Sequence, residues 1–426
     1  MDSSLFAARE EVTASGRYVL ATYALKAPAD TDILKVAGSF AVGQTVGTWA
    51  PVPNITERMR ELYQGRVVGI QEVPPRDIAT AEDEPETQYL LHIAFPHANF
   101  GRSFAALLTT LLGNDASTSI RAKLVDVQFP QEYAKLFPGP RFGIAGVRER
   151  LGVMGRPLLL NMIKPCLGFP AEVGAEIFRE VALGQVDMIK DDELLTNPEY
   201  LPLPARIRAY VQARERVYEE TGKRVAYFAN ITDRVPQILE NARLAAELGA
   251  DGVMVNFVFT GLDVLTALAE DPRVNVPILA HYAGSGPWIE STASGMDSLL
   301  YLGKLARLAG ADLVLYNTPY GGYPYLRQKY MLMAQTLKQK LHHLKPSLPA
   351  VGGGVTPGMV PRLVRELGTD VVIAAGGSIQ GHPMGPAAGA RAMRQAIAAA
   401  VDGVDLKQAA QSAPELAAAL EQWGVQ

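Results

Sequence analysis

Lys190-Asp191-Asp192-Glu193 follows directly on the apolar run Val186-Asp187-Met188-Ile189, so one lysine and three carboxylates collect where a predicted strand meets its loop. The loop-facing end of a parallel strand is where α/β barrels keep their chemistry. A free ammonium there is a poor partner for a divalent cation, because lysine offers three donors and no acceptor. Addition of CO2 to the ε-amine changes that: the carbamate is an anionic oxygen donor, and carbamylated Lys190, Asp192 and Glu193 together make the hard oxygen set that Mg2+ takes. A solvated acidic loop would be written with the same letters, so the rest of the chain must decide.

Other predicted strand ends carry chemistry of their own. Lys164-Pro165-Cys166-Leu167-Gly168 ends one apolar run and aims Lys164 into the same mouth. An apolar or cationic setting loosens the proton of a lysine, which suits a base that forms an enolate beside a ketone. His281, which ends another run, is a candidate proton carrier because imidazole titrates near neutrality. The glycine clusters Gly352-Gly353-Gly354 and Gly376-Gly377 end the last two runs, where backbone N–H groups can approach an anion. A phosphate held by Gly353, Gly354, Gly376 and Gly377 is the expectation.

These residues need a scaffold, and the hydrophobic period supplies one. From about residue 150 short apolar runs alternate with helical material: 158–164, 186–190, 225–230, 252–259, 277–281, 313–317, 349–353 and 371–375. Eight such βα units predict a (β/α)8 TIM barrel over residues 146–426, with C-terminal helices. An open doubly wound sheet lacks its GxGxxG fingerprint here. Residues 1–145 read strand-helix-strand-strand-helix-strand, a small α+β, ferredoxin-like domain. Two domains fit a chain of 426 residues.

Composition removes several function classes. Apolar residues make up 48% and charged residues 20%, and the net charge of −4 predicts neither a nucleic-acid nor an anionic-membrane surface. Cys166 is the single cysteine, so no internal disulfide framework exists. With no apolar leader or long uncharged stretch, a cytoplasmic protein is expected.

The strings Gly47-Thr48-Trp49, Gly113-Asn114, Lys164-Pro165-x-Leu167-Gly168, Asp187-x-Ile189-Lys190-x-Asp192-Glu193 and Gly376-Gly377-x-x-x-Gly381-His382-Pro383-x-Gly385 occur in that order. In these strings the chain resembles the RuBisCO superfamily, and more closely the non-carboxylating RuBisCO-like proteins (form IV) than the carboxylases. The resemblance implies Mg2+ with a carbamylated Lys190, Asp192 and Glu193 as its other ligands, and Lys164 as the enolising base. It also implies that Asn114, Thr48 and Trp49 reach the barrel of a second subunit, hence a homodimer.

Departures from the carboxylase pattern narrow the activity. Cys166 stands where carboxylases have a second lysine, Gly43 where they have an acidic residue, and the stretch Tyr320-Gly321-Gly322-Tyr323-Pro324-Tyr325 has no lysine to offer CO2. Tyr282 and Asn317 replace an arginine and a histidine that serve a second phosphate. Among the activities that the resemblance to RuBisCO-like proteins implies, the expected one is decarboxylation or transcarboxylation-hydrolysis of a phosphorylated keto sugar acid, a 3-oxoisoapionate 4-phosphate-like compound, rather than ribulose bisphosphate carboxylation. The alternatives are an enolase or isomerase of methionine salvage and a non-catalytic sugar-phosphate binder. The enolase branch, by the same resemblance, carries a lysine near the position of Asn114.

Overall fold

The computed structural model describes residues 5–47, 52–78 and 85–426; Thr48 and Trp49 lie outside them. Two compact units result, Met1–Phe137 with Gly284–Tyr301, and Pro138–Ala283 with Leu302–Gln426. The expected boundary at residue 145 falls inside the helix Gly143–Leu151, and the segment after the fifth barrel strand clusters with the first unit.

The first unit is built on a four-stranded antiparallel sheet. Its strands are β1 (Tyr18–Pro28), β2 (Arg66–Glu72), β3 (Glu86–Pro96) and β4 (Lys123–Gln128), in the order β2-β3-β1-β4. β1 and β3 pair along their whole length, from Tyr18↔Pro96 to Pro28↔Glu86. The helix Ile33–Gly43 starts at Asp32, whose side chain accepts from Lys35 N, and Ser103 does the same for Phe104–Leu112. Phe40 meets Tyr23 and Phe95 edge-on at 4.9 and 6.1 Å, and the buried Tyr23 hydroxyl donates to Leu111 O. Beside β4, Gly295 O accepts from Leu124 N and Asp297 N donates to Leu124 O, so the 284–301 segment covers an otherwise unpaired edge.

The second unit is a closed barrel of eight parallel strands: β5 (Leu158–Met162), β6 (Met188–Lys190), β7 (Ala226–Asn230), β8 (Gly252–Val255), β9 (Ile278–His281), β10 (Leu313–Asn317), β11 (Leu348–Gly352) and β12 (Val372–Ala375). Closure is made where β12 pairs with β5, Val372↔Leu158 to Ala375↔Asn161. Leu158, Leu160, Met188, Phe228, Met254, Leu279, Leu313, Leu315, Ala350 and Ala374 are buried together in one core. Side chains alternate along a strand, so the same parity continued outward brings Lys164, Lys190, Asp192, Asn230, Asn256, His281, Asn317, Gly352 and Gly376 to the mouth. The chemistry sits on the register of the core.

The expected strand 252–259 stops at Val255. Asn256 N donates to Thr232 Oγ1 and its side chain to Glu193 O, and the chain then turns helically over Phe257–Thr260, leaving Phe259 76% exposed. The run is apolar enough for a strand, but those two bonds divert it. After Met296 the chain makes a π-helical turn, Leu299–Leu305, continued by Ala306–Leu308. Among the described residues no helix is long and apolar enough to cross a membrane.

At the opposite end of the barrel the buried Asp312 carboxylate accepts from Phe142 N and Gly143 N, at 2.7 and 2.8 Å, and from Ile278 N at 2.9 Å. Asp312→Ala would leave three backbone donors without a partner, each costing about 1–3 kcal/mol. Urea unfolding is expected to show a loss of roughly 3 kcal/mol or more; a loss below about 1 kcal/mol would mean that water replaces the carboxylate.

Candidate active site

β6 ends in four consecutive charged residues, and the fold sorts them by parity. Lys190 and Asp192 point to the barrel interior and are fully buried; Asp191 points the other way. There the Asp191 carboxylate accepts from Arg206 Nε at 3.1 Å, from the Tyr227 hydroxyl and from Asn230 N at 2.8 Å. Arg206 comes from the helix Leu203–Thr221 and also donates to Thr196 O and Asn230 O. Burial opposes its charge, but Asp191 facing it raises its pKa and keeps it charged. Asp191 is thus an anchor, and the three carboxylates that look alike in sequence divide into one structural group and two aimed at the mouth.

Two asparagines fix the loop that carries the pair. Asn230 Nδ2 donates to the carbonyls of Asp192 and Glu193, and Asn256 Nδ2 to that of Glu193, at 3.1, 3.1 and 2.9 Å. Lys190 Nζ lies 2.8 Å from Asp191 O and 3.6 Å from Glu193 Oε2. Burial pulls its pKa below the usual lysine value against the carboxylates around it, which favours the neutral amine that CO2 addition requires. Lys164 Nζ donates to Asp192 Oδ2 at 2.5 Å and to Cys166 Sγ at 3.0 Å. Here burial is outweighed by the hydrogen bonds and charge of these partners, and the pKa of Lys164 is raised. His281 Nδ1 accepts from Ala283 N at 3.1 Å, which places the proton of the neutral ring on Nε2, 3.5 Å from Glu193 Oε2. Burial, then the charges of Lys190 and Lys164, hold its pKa well below the usual range, so the ring is neutral.

Among the described residues no three His, Cys, Asp or Glu side chains are placed to hold a metal. Asp192 and Glu193 therefore need a third anionic donor, and a carbamate on Lys190, beside Glu193 and on the same loop as Asp192, has the chemistry to be it. The residues present fit Mg2+ in this form.

A cavity of about 410 Å3 is lined by Lys164, Glu193 and His281 together with Gly353, Gly354, Gly376 and Gly377. A Cβ at Gly376 would stand 3.4 Å from Lys164 Cε, so the lysine stem runs past the glycine turn; a Cβ at Gly377 would meet nothing within 4 Å. Tyr282, whose hydroxyl donates to Asn317 Oδ1 at 2.6 Å, Tyr323, Thr356 and Trp423 complete the wall. The buried Thr356 hydroxyl has no hydrogen-bond partner among the described residues. Trp423 ends the helix Pro414–Trp423, whose Glu415 O lies 2.9 Å from His382 Nε2. Nothing local in the sequence marks Trp423. Asn114 belongs to the first unit, where it opens the π-helical turn Asp115–Ser119; a Cβ at Gly43 would lie 2.2 Å from Asp115 Oδ2, which excludes an acidic side chain there without rearrangement.

A closed eight-stranded barrel preceded by an antiparallel-sheet unit, with Lys164, Lys190, Asp192 and Glu193 at the strand ends, defines the class, and family models agree. The ribulose bisphosphate carboxylase large chain catalytic domain matches residues 143–423 and its N-terminal domain residues 8–133. The chain belongs to the RuBisCO large-chain family and is of the non-carboxylating, RuBisCO-like type. It is 45% identical over 395 residues to a ribulose bisphosphate carboxylase-like protein of Archaeoglobus fulgidus, covering 92% of this chain and 90% of that protein. A 2,3-diketo-5-methylthiopentyl-1-phosphate enolase of Geobacillus thermodenitrificans is 40% identical over 414 residues, 95% of this chain and 98% of that one. The crystal structure of a rubisco-like protein from Alicyclobacillus acidocaldarius superposes with a TM-score of 0.88 at 40% identity, covering 96% and 99% of the two chains.

Asp191→Ala would strand the Arg206 guanidinium in the interior, and breaking such a pair by removing one partner costs about 3–5 kcal/mol. Thermal unfolding is expected to register that loss. A variant as stable as the wild type would show that Asp191 anchors nothing.

Proposed function

We propose that this chain is an Mg2+-dependent enolase of a phosphorylated diketone, of the class of 2,3-diketo-5-methylthiopentyl 1-phosphate. One observation carries the reading: a single pocket is lined by Lys164, which is bonded to Asp192, by Glu193, and by a glycine turn at Gly376–Gly377 where a Cβ on Gly377 would meet nothing within 4 Å. A phosphomonoester anchored at the turn presents its carbonyl carbons to the cluster. Relatives bearing the enolase name cover 95% of the chain at 40% identity, which supports this reading over the decarboxylation of a sugar-acid phosphate expected from the sequence.

Carbamylated Lys190, Asp192 and Glu193 would hold Mg2+, which would supply Lewis-acid stabilisation to the developing enolate oxygen. Lys164 takes the proton from the carbon beside the ketone. It can do so only while Asp192 is engaged elsewhere, since the hydrogen bond between them keeps the ammonium protonated. Its flank on Gly376 keeps that nitrogen between the phosphate turn and the carboxylates. His281 is neutral, and its Nε2 stands 3.5 Å from Glu193 Oε2 at that edge. Tyr282, Tyr323 and Trp423 offer aromatic surface to the substrate tail. We assign the active form as a homodimer, on the family resemblance around Asn114.

One point supports the sugar-acid reading: by the family resemblance the enolase branch carries a lysine near the position of Asn114, which is an asparagine here. Product analysis decides between them. With Mg2+ and bicarbonate the protein is expected to enolise the phosphorylated diketone and to exchange the α-carbon proton in D2O, without releasing CO2. CO2 release from a β-keto sugar-acid phosphate, with no enolisation of the diketone, would replace the first reading by the second.

Two variants test the roles. Lys190→Ala is expected to abolish Mg2+-dependent turnover; retained turnover in that variant would dismiss the carbamate. Gly377→Ala, which meets no atom of the protein, is expected to raise KM for the phosphorylated substrate by roughly tenfold or more, the value of a charge-assisted hydrogen bond, with unchanged melting temperature. An unchanged KM would move the phosphate elsewhere.

A further inference from the structure

Residues 318–326 connect β10 to the helix Arg327–Lys338, and they are held from outside the pocket. The Tyr320 hydroxyl lies 2.8 and 2.7 Å from the two Glu366 oxygens, its proton shared between them. Arg327 Nε donates to the same carboxylate at 2.8 Å, and the Arg362 guanidinium lies 3.9 Å from the centroid of the Tyr320 ring. The Glu366 side chain is 7% exposed, so this charge is satisfied by a phenol and guanidinium groups rather than by bulk water.

On its inner side the same loop lies backbone on backbone against the turn after β11. A Cβ at Gly321 would stand 1.4 Å from Gly353 O, and one at Gly354 would stand 2.2 Å from Gly321 O. Tyr323 follows, close enough that a Cβ at Gly353 would lie 2.9 Å from its ring. Tyr320 and Glu366 line none of the pocket themselves.

We propose that Tyr320 and Glu366 form a latch that sets substrate specificity, seating the loop on Gly353–Gly354 so that the pocket takes a phosphomonoester at the Gly376–Gly377 turn and refuses a second phosphate. This rests on the reading of the pocket as a sugar-phosphate site. Among the described residues that line the pocket, Lys164 is the one side chain with a fixed positive charge, and Asp192 already pairs with it. A second phosphate would face Tyr282, Asn317, Leu315 and Tyr323 and lose its hydration to neutral groups. The latch acts on specificity through the position of Tyr323 and the Gly321 backbone. Tyr320 and Glu366 are positioning residues.

The test is equilibrium binding to the full-length protein with Mg2+ and bicarbonate, read by calorimetry for a pentulose 5-phosphate and a pentulose 1,5-bisphosphate. The wild type is expected to prefer the monoester by about tenfold or more. Tyr320→Phe and Glu366→Gln, each checked for fold by circular dichroism, are expected to narrow that preference about tenfold, the effect of one hydrogen bond to a charged group, and to speed amide exchange across 318–326. Gly377→Ala is expected to weaken both ligands alike. A preference unchanged within about twofold in both latch variants, whatever the exchange rates, overturns the latch and leaves the pocket reading standing. Failure of the wild type to bind either ligand, a wild-type preference for the bisphosphate, or no effect of Gly377→Ala overturns the inference; the first and last of these overturn the pocket reading as well.

Discussion

The buried pair between Asp191 and Arg206 is the constraint on which the site depends. A charged group without water needs its partner at close range, and Arg206 is given four: the Asp191 carboxylate and the carbonyls of Thr196, Leu201 and Asn230. With Asp191 committed to the helix side of the barrel wall, strand alternation leaves Lys190 and Asp192 no direction but inward. The chain there cannot slip by one residue without exposing the ion pair and withdrawing both functional side chains together. Stability and chemistry share one register.

Inside the mouth, the charges are arranged to be exchanged. Asp192 holds Lys164, Glu193 lies near both Lys190 and His281, and the lysine without a close carboxylate bond is the more deeply buried one. Burial without pairing favours a neutral amine, and pairing favours an ammonium. Two lysines of one cluster are thereby given opposite tendencies, Lys190 toward the neutral amine and Lys164 toward the ammonium. Around this cluster the pocket wall carries the aromatic side chains Tyr282, Tyr323 and Trp423.

Much of the barrel could be read from local pattern because each strand is an apolar run and each run ends in its own punctuation: Pro165, the KDDE string, Tyr282 after His281, and the glycine pairs. The pattern failed where a side chain outside the run intervened. Residues 252–259 are uniformly apolar but for Asn256, and Asn256 turns the chain because Thr232 and Glu193, distant in sequence, receive its hydrogen bonds. Asp191 was grouped with its neighbours as a mouth carboxylate, although a period of two already separates 191 from 190 and 192.

By itself the sequence determined the eight-unit barrel, the small sheet preceding it, and the residue types at each strand end, since these follow from hydrophobic period and from the chemistry of single side chains. Only the tertiary structure decided which partner each charge has. Arg206 lies 15 residues from Asp191, Glu366 lies 46 from Tyr320, and Trp423 enters the pocket from the end of the chain. Such pairings depend on where closure of the barrel brings separate loops and helices together. Period and spacing describe neighbours along the chain, whereas pKa, latch and pocket wall are set by neighbours in space.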